Sequence, residues 1–99
     1  MPFVVLVEMD IKPGQRAAFD AVMLPHAQRS LAEEPGCQRF DVVSLCDDDG
    51  TRDEHRVVLI EVYDDRAAFD AHRANPRMPV VNEALGPLLT RRQRSTGTL

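Results

Sequence analysis

The amino-acid sequence predicts one α+β domain in the order β-α-β-β-α-β, and three observations carry that expectation. The chain has 99 residues, room for one core and not for two. Apolar residues alternate at Phe3, Val5, Val7, Met9 and Ile11, and a helical stripe then runs through Phe19, Val22, Met23, Ala27, Ser30 and Leu31, so the period changes from strand to helix. The hexapeptide Arg-Ala-Ala-Phe-Asp-Ala occurs twice, at 16–21 and 66–71, each time opening a helix that follows a strand. Alanine-rich amphipathic helices can converge on such a string, but an echo at matching places in two β-α-β halves favours a duplicated unit. The order is that of the ferredoxin-like split β-α-β sandwich.

The elements follow from local signals. The first strand covers Phe3 to Ile11; one face is apolar throughout, and the other changes from Val4 and Leu6 to Glu8 and Asp10. Lys12-Pro13-Gly14 turns the chain into a helix from about Gln15 to Glu33, with Pro25 inside it and His26 on its apolar stripe. Glu34-Pro35-Gly36 ends that helix. Cys37 to Cys46 is the second strand, Asp47 to Asp53 an acidic loop, and Arg56 to Tyr63 the third strand, whose Val57-Val58-Leu59-Ile60 block suits a central position. Asp64-Asp65 supplies an N-cap for a second helix, Arg66 to Ala74, which stops at Asn75-Pro76. A short helix from about Pro79 to Leu85 precedes Gly86-Pro87 and a last strand, Leu88 to Arg94, leaving Ser95 to Leu99 as an expected frayed tail.

An open sheet of this kind carries helices on one face only. The first strand carries apolar side chains on both faces, so the bare face is not expected to be fully wet. Two such sheets packed together make a dimeric α+β barrel, and a homodimer is the economical arrangement for so short a chain.

Composition narrows the function. Twelve Lys and Arg stand against sixteen Asp and Glu, a net charge of −4, and no broad basic stretch occurs, which argues against nucleic acid as a partner. The apolar run from Phe3 to Val7 is far too short to span a bilayer and no leader pattern precedes it, so no membrane partner and a cytoplasmic location are expected. Cys37 and Cys46, nine residues apart on one strand at about 3.3 Å each, lie beyond the reach of a disulfide and fit no zinc spacing. There is no Gly-rich phosphate loop, no metal-ligand spacing, no tryptophan and no flavin or nicotinamide fingerprint, so neither a cofactor nor a metal is expected.

Four residues carry the expected chemistry. His26 holds a helix-stripe position where Leu or Ala is usual, and a buried imidazole needs partners. His72 lies one turn after Phe69 on the inner side of the second helix. Each can be a core-edge histidine bonded to a backbone carbonyl; together they suggest a shared cavity with an acid/base or an oxyanion donor. Glu61 and Tyr63 share the dry face of the third strand with Val57 and Leu59. A carboxyl group there either pairs, with Arg39 as the candidate partner, or keeps a raised pKa. Glu8 and Asp41 are weaker instances. Arg91, Arg92 and Arg94 form a small basic patch that reads either as solvated edge charge or as an attractor of an anionic substrate.

Lys12-Pro13-Gly14, Phe19, Ser30, Glu34-Pro35-Gly36-Cys37, Arg39-Phe40-Asp41-Val42, Glu61-Val62-Tyr63 and His72 resemble, in order and spacing, the antibiotic biosynthesis monooxygenase family over nearly the whole chain. Phe40-Asp41-Val42, His26 and Gly86-Pro87 are most similar to its quinol monooxygenase-like and autoinducer-2-phosphate isomerase-like branches. The absent tryptophan and Pro25, in place of a common asparagine, are departures. The resemblance implies a homodimer with a pocket between sheet and helices in each subunit. It implies either cofactor-independent oxidation of a small phenol or hydroquinone, or isomerisation of a phosphorylated dione. A non-enzymatic dimer binding a small molecule is the third possibility. The expected catalytic residues are His26, His72, Glu61 and Tyr63, and the expected substrate contacts are Arg39, Asp41, Ser30 and Met9.

Overall fold

In the computed structural model, which describes residues 1–99, the elements are β1 (Phe3–Ile11), α1 (Arg16–Glu33), β2 (Cys37–Cys46), β3 (Arg52–Tyr63), α2 (Arg66–Ala74), α3 (Arg77–Leu85), a 3₁₀ turn (Gly86–Leu88) and β4 (Leu89–Thr98). The strands form one antiparallel sheet in the order β2-β3-β1-β4, so the two most apolar strands are central, as in a ferredoxin-like fold. Register sets the faces: Val5 faces Glu61, Val7 faces Leu59 and Met9 faces Val57, and with Phe40 of β2 this set lies under the helices. The core is built there, around Phe19, Met23, Tyr63, Phe69 and Leu85.

Each copy of the hexapeptide does the same work. Phe19 and Phe69 are buried, and Arg16 and Arg66 each reach the Asp four residues on, Asp20 at 2.9 Å and Asp70 at 4.0 Å. α1 continues through Pro25, whose missing N–H frees a carbonyl one turn earlier on the exposed side, where water can satisfy it. Asp65 caps α2 by accepting from the Ala68 N–H at 2.8 Å.

Three boundaries differ from the sequence reading. β3 begins at Arg52, because the acidic loop closes as a hairpin turn around Gly50, which has a φ of +88°. α3 begins at Arg77; Val81 and Leu85 form its buried side and Val80 is exposed. The tail is not frayed: Ser95 to Thr98 continue β4 against β1, with Leu6 opposite Ser95 and Phe3 opposite Thr98. Main-chain hydrogen bonds hold that segment, which is why its side chains show no apolar pattern.

Gly36 marks where β2 meets α2. A Cβ there would overlap Cβ of Ala68, inside the second hexapeptide. Gly36→Ala is therefore expected to cost about 2 kcal/mol by overpacking. Adding Ala68→Gly should restore part of it despite the helix penalty of glycine. Denaturant midpoints of the two variants check this, and a double variant no better than Gly36→Ala would show that the contact is not the cause.

Candidate active site

α1, β3 and α2 bring the two histidines together. The imidazole rings of His26 and His72 lie 5.4 Å apart, both 4% exposed, with Phe40 against each and Tyr63 against His72. Below them Glu61 is buried and its Oε1 accepts a 2.5 Å hydrogen bond from the Tyr63 hydroxyl. The same oxygen is 4.0 Å from His72 Nε2. His26, His72 and Glu61 line a cavity whose walls are completed by Val5, Leu59, Phe69 and other apolar side chains. Tyr63 stands behind Glu61 and does not line the cavity.

Two residues not singled out in the sequence hold this arrangement. Glu34, just past the end of α1, accepts from His72 Nδ1 at 2.7 Å through one oxygen and from Arg77 Nη2 at 2.6 Å through the other. Arg77, at the start of α3, also donates to Ser30 Oγ at 3.1 Å, to Glu33 at 3.2 Å and through Nε to His26 Nδ1 at 3.2 Å. Its side chain is only 9% exposed. Glu34 follows the helix in Glu34-Pro35-Gly36, where a carboxylate reads as solvated, and Arg77 follows a helix-stopping proline; no periodicity marks either as inward-facing.

These partners assign the tautomers. A guanidinium can only donate, so His26 Nδ1 accepts and its ring proton is on Nε2. Burial, with His72 and Arg77 adding, lowers the His26 pKa to about 4, so the ring is neutral at physiological pH and offers an N–H. His72 donates Nδ1–H to Glu34, so in the neutral ring the lone pair falls on Nε2, which faces Glu61. Burial raises the Glu61 pKa, although the Tyr63 hydrogen bond and His72 pull it back. Burial raises that of Tyr63 as well, with Glu61 adding, so the phenol stays protonated. The Cys37 thiol is pushed up to about 11 by burial and by the nearby carboxylates, which removes it as a nucleophile. The site thus places, on an apolar wall, one imidazole whose Nε2 donates and a second whose Nε2 accepts in its neutral form. No three His, Cys, Asp or Glu side chains converge as a metal would require.

Several expected contacts lie elsewhere. Arg39 is not the partner of Glu61: a register shift between Cys37 and Arg39 puts its side chain on the bare face, where it pairs with Asp41 at 2.5 Å. Asp41 leaves the substrate contacts with it. Met9 is sealed in the core at 1% exposure and does not line the cavity. Ser30 does not line it either; its hydroxyl donates to the His26 carbonyl at 2.8 Å and accepts from Arg77, so it braces the network. The basic patch divides. Arg92 and Arg94 point into the cavity, while Arg91 is on the other face, within 3.3 Å of Glu8.

The cavity has about 50 Å³ of free volume, room for one or two waters. A benzene ring occupies a cavity on the order of 150 Å³. Admitting one requires flexible lining side chains, Met78 among them, to move aside.

The depressed pKa of His26 has a consequence for stability. Between its unfolded value of 6.5 and about 4, the unfolded chain binds a proton that the folded chain refuses. Stability is therefore lost as pH falls through that window, by about 2 kcal/mol after allowance for solvent near the cavity. Glu61 acts in the opposite direction, its raised pKa costing stability as pH rises above the ordinary carboxyl range. Comparison with His26→Leu isolates the first effect: between pH 7 and pH 4 the variant should gain about 2 kcal/mol relative to the wild type in urea unfolding. Parallel curves would mean that His26 titrates normally.

A family model described as "Antibiotic biosynthesis monooxygenase" matches residues 2–84. The chain is 32% identical over 82 residues to "Putative monooxygenase Rv0793" of Mycobacterium tuberculosis, covering 83% of this chain and 70% of that protein. The solved structure of Rv0793 superposes with a TM-score of 0.72 at 28% identity, over 100% of this chain and 95% of that one. A "Putative antibiotic biosynthesis monooxygenase" of Nitrosomonas europaea superposes at 0.87 with 23% identity, over 98% and 97%. SnoaB of Streptomyces nogalater, a cofactor-independent oxygenase solved as a point mutant, superposes at 0.81 with 24% identity, over 99% and 92%.

Proposed function

The chain belongs to the antibiotic biosynthesis monooxygenase family, and from that premise we propose that it oxidises a small phenol or hydroquinone with O₂ and without a bound cofactor. The observation that carries this reading is the pair of imidazoles in complementary tautomers on one apolar cavity. A fold shared with SnoaB is one that houses cofactor-independent oxygenation.

His72 Nε2 takes the phenolic proton, and Glu34 stabilises the imidazolium that results. The phenolate spreads its charge to its ortho and para carbons; one that carries hydrogen (an ortho carbon in a hydroquinone) passes one electron to O₂ and then bonds to the reduced oxygen. His72 returns its proton to the outer oxygen of the peroxide. Loss of the hydrogen on that carbon as a proton and cleavage of the O–O bond release water and leave a new carbonyl, so one phenol or hydroquinone and one O₂ give one quinone or hydroxyquinone and one water. His26 Nε2–H donates to the oxygen on which charge develops. The apolar wall limits competing proton transfer from water.

Oxygen-electrode traces of the purified, metal-free protein with a panel of hydroquinones test this, with uptake above background expected for at least one. No uptake from any of them counts decisively against it. The second reading, isomerisation of a phosphorylated dione, is favoured by Arg92 and Arg94 at the cavity. It predicts substrate conversion under argon.

The bare face of the sheet carries Val4, Leu6, Val58 and Ile60 around a rim of Glu8, Asp41, Arg39 and Arg91. Leu6 there is 42% exposed, which supports pairing with a second copy, sheet on sheet. Light scattering should give twice the 11.1 kDa chain mass, and Leu6→Glu should halve it. A wild-type monomer at high concentration would remove the homodimer.

A further inference from the structure

The geometry points to an oxyanion clamp at the mouth of the cavity: Arg73, Arg92 and Arg94 together receive a carboxylate or phosphate carried by the substrate, apart from the ring or carbonyl that reacts. This rests on the reading of the cavity as the substrate site.

Three observations support it. First, the cations of this chain without an acidic partner are Lys12, Arg56, Arg73, Arg92 and Arg94, and the last three line the one cavity that holds the histidines. In a chain of net charge −4, unpaired guanidinium groups gathered at one opening are not explained by a general excess of base.

Second, they are already positioned. Arg92 and Arg94 alternate on β4 opposite Met9 and Val7, so both point to the helix side of the sheet. Arg92 Nη1 donates to Asn82 Oδ1 of α3 at 2.9 Å, which leaves its other amino group free. Arg73 and Arg94 both lie over the Phe69 ring, their guanidinium carbons 5.4 Å and 5.6 Å from its centre. Two like charges held on one ring with no neutralising carboxylate are an arrangement that a bound oxyanion relieves.

Third, the only acid facing them from within the cavity is Glu61, which Tyr63 engages; it acts on Arg92 electrostatically but forms no ion pair with any of the three. An anion brought by the substrate fits the position left open. A guanidinium fork is suited to bidentate bonds with a carboxylate or a phosphate, and both are kept as sources.

Titration calorimetry of the wild-type protein with phenol, benzoate and phenyl phosphate at matched ionic strength tests the clamp. At least one of the two anions should bind tenfold or more tightly than phenol. The tighter of the two identifies carboxylate or phosphate as the group recognised. Arg92→Gln with Arg94→Gln should abolish the preference, and Arg91→Gln, on the opposite face, should leave it intact. Equal binding of all three ligands by the wild type, or equal loss in Arg91→Gln, overturns the inference. Oxygen uptake with uncharged hydroquinones reads the proposed reaction independently. Uptake without anion preference removes the clamp and leaves the reaction; anion preference without uptake does the reverse.

Discussion

Replacing Arg77 by methionine is expected to lower Tm by roughly 10–15 °C and to raise the His26 pKa. The side chain is nearly buried and donates to four groups of the last turns of α1 and its C-cap, His26, Ser30, Glu33 and Glu34. Methionine keeps much of the volume and removes every donor. Glu34 then keeps its charge with only His72 to receive it, the costly outcome for a buried pair that loses one member. We put the loss at about 2–3 kcal/mol, below the range for fully buried pairs because Glu34 is 13% exposed; a domain of this size loses about 4–8 °C per kcal/mol. The Arg77 charge also depresses His26, so its removal moves the imidazole up from about 4. NMR titration of the His26 ring protons reads that change, which a purely structural loss would not produce. Arg77→Lys should recover part of the stability through Glu34, but a single ammonium cannot also reach His26 and Ser30 in the same geometry. A methionine variant with unaltered His26 titration would mean that Arg77 does not set the tautomer.

The order of elements was legible because periodicity changes at each boundary and each helix has a stop signal. The convergence of His26 and His72 was legible for the same reason: each comes after a buried Phe on an inward face, seven residues on in one half and three in the other. Glu61 and Tyr63 were legible as alternate residues of a dry strand. The failures depended on register. A single bulge at Cys37–Arg39 turned Arg39 to the other face and broke its expected pairing with Glu61, and a bulge leaves no mark in alternation. The β4 tail was missed because backbone pairing, not side-chain burial, orders it. Arg77 and Glu34 were missed because long polar side chains beside a helix end read as solvated; their role appears only when the end of α1 meets the α2–α3 segment, 38 to 43 residues on. The hexapeptide, first a sign of duplication, marks the part the halves share. Their functions diverge around it: only the second half, through Phe69, supplies a platform for Arg73 and Arg94.

His72→Ala is expected to reduce kcat about 10²–10³-fold with KM little changed, on whichever hydroquinone the oxygen electrode identifies. The ring makes one hydrogen bond that orients it, Nδ1–H to Glu34, and packs on His26, Phe40 and Tyr63, so its loss removes proton transfer and leaves a ring-sized space beside the cavity. Added imidazole should restore a measurable part of the rate by occupying the vacated space, an outcome that a general loss of packing would not give. Glu34→Gln is milder, about 10–100-fold, because an amide oxygen can still accept from Nδ1–H but no longer offsets the imidazolium charge. The double variant decides between the roles. Glu34 acts through His72, so once the imidazole is gone its replacement should cost almost nothing further, and the two losses should fail to multiply. Multiplicative losses would place Glu34 in direct contact with the reacting groups, or in a structural role through Arg77 alone. Equal Tm values for Glu34→Gln and Arg77→Met would favour the second of these, since both break the same ion pair. A kcat loss in Glu34→Gln that exceeds what its Tm explains is the result that assigns Glu34 to orienting the base.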